Sequence, residues 1–181
     1  MFPGIFGAVF GVVLIFSFAA NTFPLLYVLL RWRTAGQGEP GLGTLAALHY
    51  FKNTGLLVAL SGVALFIYSL LEGKGADSEQ RTALGLLCGG TLFFGMHLLA
   101  VSRRGPADPG HPVRRLFDGY VLVLCGIIGF VFLLVLFVAA FEKDTGSGSG
   151  GRAERIHAGA AWAGVFLVTY VLYGRRLATS R

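Results

Sequence analysis

The stretch LFDGYVLVLCGIIGFVFLLVLFVAAF, residues 116–141, decides the fold class of this chain. No charged side chain occurs from Gly119 to Phe141, and two arginines, Arg114 and Arg115, stand directly before the stretch. A helix rises about 1.5 Å per residue, so about 20 apolar residues cross the hydrocarbon core of a bilayer. The stretch therefore predicts a transmembrane helix.

Other parts of the chain contain apolar stretches of similar length, and they are separated by short polar segments. No connecting segment is long enough to fold alone, so we expect one transmembrane domain over residues 1–181. The sequence thus predicts an all-α integral membrane bundle of about five transmembrane helices. The predicted spans cover residues of about 2–30, 45–71, 82–101, 116–141 and 156–173.

The composition agrees with a membrane protein and argues against nucleic acid as a partner. The chain of 181 residues is 55% hydrophobic and 13% charged, whereas soluble domains carry about 25% charged residues. The net charge of +6 comes from basic residues that flank the apolar stretches, where they interact with lipid headgroups. We therefore expect the partners to be the lipid bilayer and either other membrane subunits or further copies of the chain.

The distribution of Lys and Arg predicts the orientation. Segments 31–44, 102–115 and 174–181 together carry nine basic residues, whereas segments 72–81 and 142–155 carry five. Cytoplasmic loops retain positive charge, so the N-terminus is predicted outside and the C-terminus in the cytoplasm of a cell inner (plasma) membrane, that of a bacterium. No basic residue precedes the first apolar stretch, which favours an uncleaved first span over a signal peptide.

Two features of the glycines suggest how the helices pack. Gly85 and Gly90 have the same spacing as Gly159 and Gly164, and paired arginines follow both. This pattern is typical of a duplicated hairpin in which spans two and three repeat as spans four and five, although compositional bias gives the same matches. Small-xxx-small pairs also predict close approach of helix backbones; they are Gly7/Gly11, Gly55/Ala59, Gly85/Gly89, Gly159/Ala163 and Ala160/Gly164.

Polar residues inside the predicted spans are the candidates for a functional site, because charged groups are unfavourable in hydrocarbon. His49 and Lys52 of span two, His97 of span three and Asp118 of span four are expected at similar depth near the cytoplasmic side. Two facing imidazoles bind haem b axially, and the same cluster offers hydrogen bonds to a quinone headgroup. The structural alternative is that these side chains bond to neighbouring helices or lie among headgroups.

The sequence favours a non-catalytic membrane subunit of a larger complex, respiratory or photosynthetic, that packs helices and contributes to a haem or quinone site in electron transport. The alternative is a small channel or transporter that forms its pore by homo-oligomerisation. A third interpretation, a membrane enzyme acting on lipid, would use His49, His97 and Asp118. Motifs for ATP-driven or hydrolytic chemistry are absent from the sequence, so we do not expect catalytic activity from the chain on its own.

Overall fold

The protein is an all-α, multi-pass membrane bundle, as the sequence predicts. The computed structural model describes residues 22–24, 26–28, 30, 42–73, 78–104, 112–142 and 149–179. The long helices of this part are α1 (Leu42–Glu72), α2 (Ser78–Arg104), α3 (Pro112–Phe141) and α4 (Ser149–Thr179). All four are long enough and apolar enough to cross a membrane.

Helices α1 to α4 correspond to the second to fifth predicted spans, and each extends beyond its apolar stretch. The largest difference is in α4, which begins at Ser149 and ends at Thr179 although 156–173 was the predicted span. Hydropathy marks only the part that crosses hydrocarbon, whereas backbone hydrogen bonding continues into the polar interface. The first predicted span, about 2–30, lies mostly outside the described residues. Its described positions are helical.

A glycine ends α1. Gly73 has a φ of 65° and donates its backbone N–H to the Leu70 carbonyl at 3.3 Å. A residue with a side chain rarely adopts this left-handed conformation, so glycine is favoured directly after a helix. The chain thereby turns from α1 toward the start of α2, and these two helices form an antiparallel hairpin.

The hairpin of α1 and α2 is held by close backbone contact. A Cβ atom added to Gly62 would lie 2.5 Å from the Leu87 backbone nitrogen, and one added to Gly55 would lie 2.6 Å from the Phe94 nitrogen. Gly90 meets the Ala59 backbone in the same way. Dispersion contacts between closely packed helices stabilise membrane bundles, because lipid supplies no hydrophobic effect between them. Of the small-xxx-small pairs, Gly55/Ala59 is thus confirmed as a packing element.

Helices α3 and α4 form the second hairpin, which is packed more by aromatic side chains. Phe132 of α3 stacks on Trp162 of α4 with ring centroids 5.0 Å apart, and Trp162 stacks on Phe166 at 5.7 Å. Gly159 of α4 lies against the backbone of Leu136. The hairpins meet through α1, which packs against α4 and more lightly against α3. Among the described helices, α2 contacts α1 alone.

The paired hairpins agree with a duplication, but the glycines that suggested it have different surroundings. Gly85 faces open space whereas its match Gly159 contacts Leu136, and Gly90 contacts Ala59 whereas its match Gly164 faces open space. The two hairpins therefore use different positions for their closest contacts. The duplication stays a prediction, which now rests on the order of the helices rather than on the glycine spacing.

Candidate functional site

The first polar site joins α1 to α3 and consists of His49, Lys52, Asn53 and Asp118, named here the Lys52 cluster. All of its members are buried, with exposed fractions of 6% or less. The Lys52 ammonium donates to Asp118 Oδ1 at 3.4 Å and to His49 Nδ1 at 3.4 Å. Since an ammonium only donates, Nδ1 accepts and the ring proton of a neutral His49 is on Nε2.

A second basic residue, Arg114, lies near the carboxylate of Asp118. Arg114 Nε lies 3.8 Å from Asp118 Oδ2, one helical turn away on α3. An ion pair removed from water is favourable only when its members are paired closely and hydrogen-bonded. Lys52 lies on one Asp118 oxygen and Arg114 lies near the other, so both oxygens of this buried carboxylate have a basic neighbour, and the Lys52 contact links α1 to α3.

Asn53 adds a neutral contact and an unsatisfied group. Its Nδ2 donates to the Phe117 backbone carbonyl at 2.9 Å, while its Oδ1 has no hydrogen-bond partner among the residues that the structure describes. The Phe117 ring in turn stacks on His49 with centroids 5.9 Å apart and planes inclined by 16°. The cluster therefore presents an ammonium, a carboxylate, an imidazole and a spare amide acceptor at one buried position.

His97 lies elsewhere. Its Nδ1–H donates to the Phe93 carbonyl of its own helix at 2.8 Å, and its ring packs against Phe51 at 5.4 Å. Phe51 follows His49 by two positions, which is a rotation of about 200° around α1. The two imidazoles thus lie against opposite faces of α1. The expected pairing of His49 with His97 as axial ligands of haem b has no geometric support, whereas His49, Lys52 and Asp118 are brought together.

A second polar site, at the other end of α1, was not predicted from the sequence. It consists of Tyr68, Glu72, Glu154 and His157, named here the Glu72 cluster. His157 Nδ1 and Glu72 Oε1 are 3.0 Å apart, and the Tyr68 hydroxyl donates to Glu154 at 3.4 Å. Both bonds join α1 to α4. The sequence does contain an indication of this cluster, because Glu72 and His157 border apolar stretches at the same side of the predicted bundle.

The arginines near the Glu72 cluster bond to α3. Arg152 donates to the backbone carbonyls of Ala139 and Ala140, at 3.0 and 2.9 Å. These carbonyls lie at the end of α3, where the last carbonyls of a helix have no partner within that helix. Arg155 forms an ion pair with Glu142. These bonds fasten the start of α4 to the end of α3.

Both clusters combine hydrogen-bond donors and acceptors from two different helices. Within the described residues, no group of three or more His, Cys, Asp or Glu side chains is arranged to hold a metal ion. Cys125 is buried in the core and Cys88 is exposed on α2. Comparisons of the chain with family models, curated proteins and solved structures gave no match.

Proposed function

We propose that the chain is a non-catalytic subunit of a larger membrane-embedded complex and that it binds neighbouring membrane helices through α2. The observation that carries the proposal is the face of α2 that no other described helix covers, named here the outer face. It lies opposite the contact with α1 and is formed by Gly85, Cys88, Gly89, Leu92, Met96 and Leu99.

The glycines of the outer face support the proposal of a partner helix. In the described part of the chain, a Cβ atom added to Gly85 or Gly89 would meet nothing within 4 Å. Glycine is less favourable than alanine in a helix interior by about 1 kcal/mol, and a face exposed only to lipid gains nothing from it. On the opposite side of the same helix, Gly90 permits close packing against α1. The Gly85/Gly89 pair is suited to the same use with a helix of another subunit.

The proposal also includes the membrane in which the protein lies and a role in electron transport. The excess of Lys and Arg on alternate connections favours the inner (plasma) membrane of a bacterium with the C-terminus in the cytoplasm. The mixture of donor and acceptor groups in the Lys52 cluster favours a quinone headgroup over haem b as the cofactor in an electron-transport complex. A visible spectrum and a lipid-soluble extract of the gently purified protein would distinguish a haem from a quinone.

The native thiol on the outer face provides the test for association. Cys88 is exposed beside Gly85 and Gly89, whereas Cys125 is buried, so a reagent with one thiol-reactive and one photoreactive end, applied to intact membranes, reports contacts of α2 with any neighbouring polypeptide. We expect Cys88 to cross-link to another membrane polypeptide, and Gly89→Leu to abolish the product.

Gly164→Leu on α4 is the matched control, because Gly164 also faces open space but is not part of α2. It should leave the cross-link intact. A product made of two identical chains would favour the homo-oligomeric channel or transporter instead. If α2 gives no product and the chain purifies alone, the subunit proposal is wrong.

A further inference from the structure

A groove between α1 and α4 leads to the Glu72 cluster. It has a volume of about 490 Å³, within the range of ligand pockets. One wall is the aliphatic row Val63, Ile67 and Leu71 of α1, and the floor on α4 contains the small residues Ala160 and Gly164. The polar residue of this lining, Thr169, donates its hydroxyl to the Val165 carbonyl of its own helix. The groove is therefore suited to a hydrocarbon chain.

The polar end of the groove is set by the same two helices. Glu72 follows Leu71 directly, and His157 precedes Ala160 and Ala161 by about one turn on the same face of α4. The 3.0 Å contact between Glu72 and His157 thus bridges α1 and α4 just beyond the apolar lining. A groove that is apolar along its length and has polar groups at one end is complementary to an amphiphile.

The charge of the Glu72 cluster selects the headgroup. Glu72 bonds to His157 and Glu154 accepts from the Tyr68 hydroxyl, and a carboxylate has about four lone-pair sites, so it can accept a bond in addition to those that it already makes. The side chain of His157 is 33% exposed, so a headgroup can reach it from the membrane surface, and the Glu72 side chain, which is 10% exposed, lies directly beside it. Several acceptors at partly desolvated positions favour a group that is cationic and rich in N–H donors.

We propose that the groove binds a glycerophospholipid whose headgroup carries a primary ammonium, with one acyl chain between α1 and α4 and the ammonium at Glu72. Phosphatidylethanolamine has this chemistry. Phosphatidylcholine has the same phosphate and chains, but its methylated nitrogen donates no hydrogen bond. The groove is separate from the outer face of α2, so this proposal can be tested independently of the subunit proposal.

The test measures lipid bound to the purified full-length chain by native mass spectrometry. Phosphatidylethanolamine, phosphatidylcholine and phosphatidylglycerol with identical acyl chains are the probes. We expect about tenfold preference for phosphatidylethanolamine over phosphatidylcholine, the effect of one hydrogen bond to a charged group. Soluble phosphoethanolamine should not compete, because it lacks the chain that occupies the groove. Competition by this soluble compound would overturn the assignment of the groove.

Two variants separate the headgroup from the chain. Glu72→Gln should remove the preference among headgroups, and Gly164→Leu should reduce binding of all three lipids, because its side chain fills the groove. Gly164→Ala repeats the test with a smaller side chain if the leucine variant does not fold. Gly89→Leu and Glu142→Gln are controls outside the groove and should bind as the wild type does. Equal binding of the ethanolamine and choline lipids, or unchanged binding by both Gly164 variants, would refute the proposal.

Discussion

The Lys52 ammonium lies 3.4 Å from Asp118 Oδ1, and both side chains are almost completely buried. Lys52 belongs to α1 and Asp118 to α3, so this contact joins the two hairpins. Breaking such a buried pair leaves one charge without compensation, which is more damaging than replacing both charges. The pair therefore adds a charged contact to the packing of α1 on α4 that joins the two hairpins.

The charged pair gives the first prediction. Lys52→Met or Asp118→Leu alone should lower the free energy of unfolding by about 3–5 kcal/mol, because each leaves a buried charge unpaired. The double variant Lys52→Met/Asp118→Leu should be close to the wild type, since neither charge is then present. Reversible unfolding in detergent measures all four proteins, and additive effects of the two single changes would show that the pair is not coupled.

The close approach of α1 and α2 gives the second prediction. Gly90 lies against the backbone of Ala59, whereas Gly89, the next residue, faces open space. Gly90→Ala should therefore separate the helices and destabilise the protein by about 1–3 kcal/mol, as overpacking does. Gly89→Ala should be neutral or stabilising by up to about 1 kcal/mol, because alanine is the better helix former. Thermal unfolding of the two variants under identical conditions compares them, and equal effects would contradict the predicted contact.

The aromatic core of the second hairpin gives the third prediction. Phe132 is 4% exposed and stacks on Trp162, whereas Phe137 of the same helix is 50% exposed. Phe132→Ala should lower the free energy of unfolding by about 3–5 kcal/mol, because it opens a cavity. It should also change the fluorescence of Trp162, measured in a Trp32→Phe background. Phe137→Ala is the matched control and should alter neither quantity appreciably; the same loss in both variants would mean that the stacking is unimportant.

Hydropathy determined the helices but not their partners. Residues 116–141 predicted α3 because the requirement for about 20 apolar residues depends on bilayer thickness alone. Which face of a helix meets another helix depends on shape, and lipid-facing and buried positions are equally apolar in a membrane protein. That is why Gly85 and Gly90, alike in the sequence, differ in their surroundings.

The sequence predicted the candidate site only for residues that share both their depth in the membrane and the helix faces that meet. His49, Lys52 and Asp118 came together because their positions in the second and fourth predicted spans place them at one depth. His97 has a similar depth, but its helix contacts α1 on the side of Phe51, opposite His49. Hydropathy contains no information about that rotation. The Glu72 cluster was missed because its members lie at span ends, where charged residues are common and need no functional explanation.

The last prediction concerns the orientation of the bundle. Because α1 to α4 alternate in direction, the start of α1, the connection from α2 to α3 and the end of α4 lie at one side. Basic pairs border this side at Arg103–Arg104, Arg114–Arg115 and Arg175–Arg176, and positive charge is retained in the cytoplasm. We therefore expect the Lys52 cluster near the cytoplasmic surface and the Glu72 cluster near the outer surface.

Two reporter fusions measure that orientation. A reporter active only in the cytoplasm should be active after Arg181 and inactive when inserted in the segment 146–148, which lies between α3 and α4. A reporter active only outside should give the reverse. Replacing Arg103, Arg104, Arg114 and Arg115 with Gln should weaken the preference, because these residues supply four of the nine basic charges on that side. External activity of the C-terminal fusion would reverse the assignment and place the Glu72 cluster toward the inner leaflet.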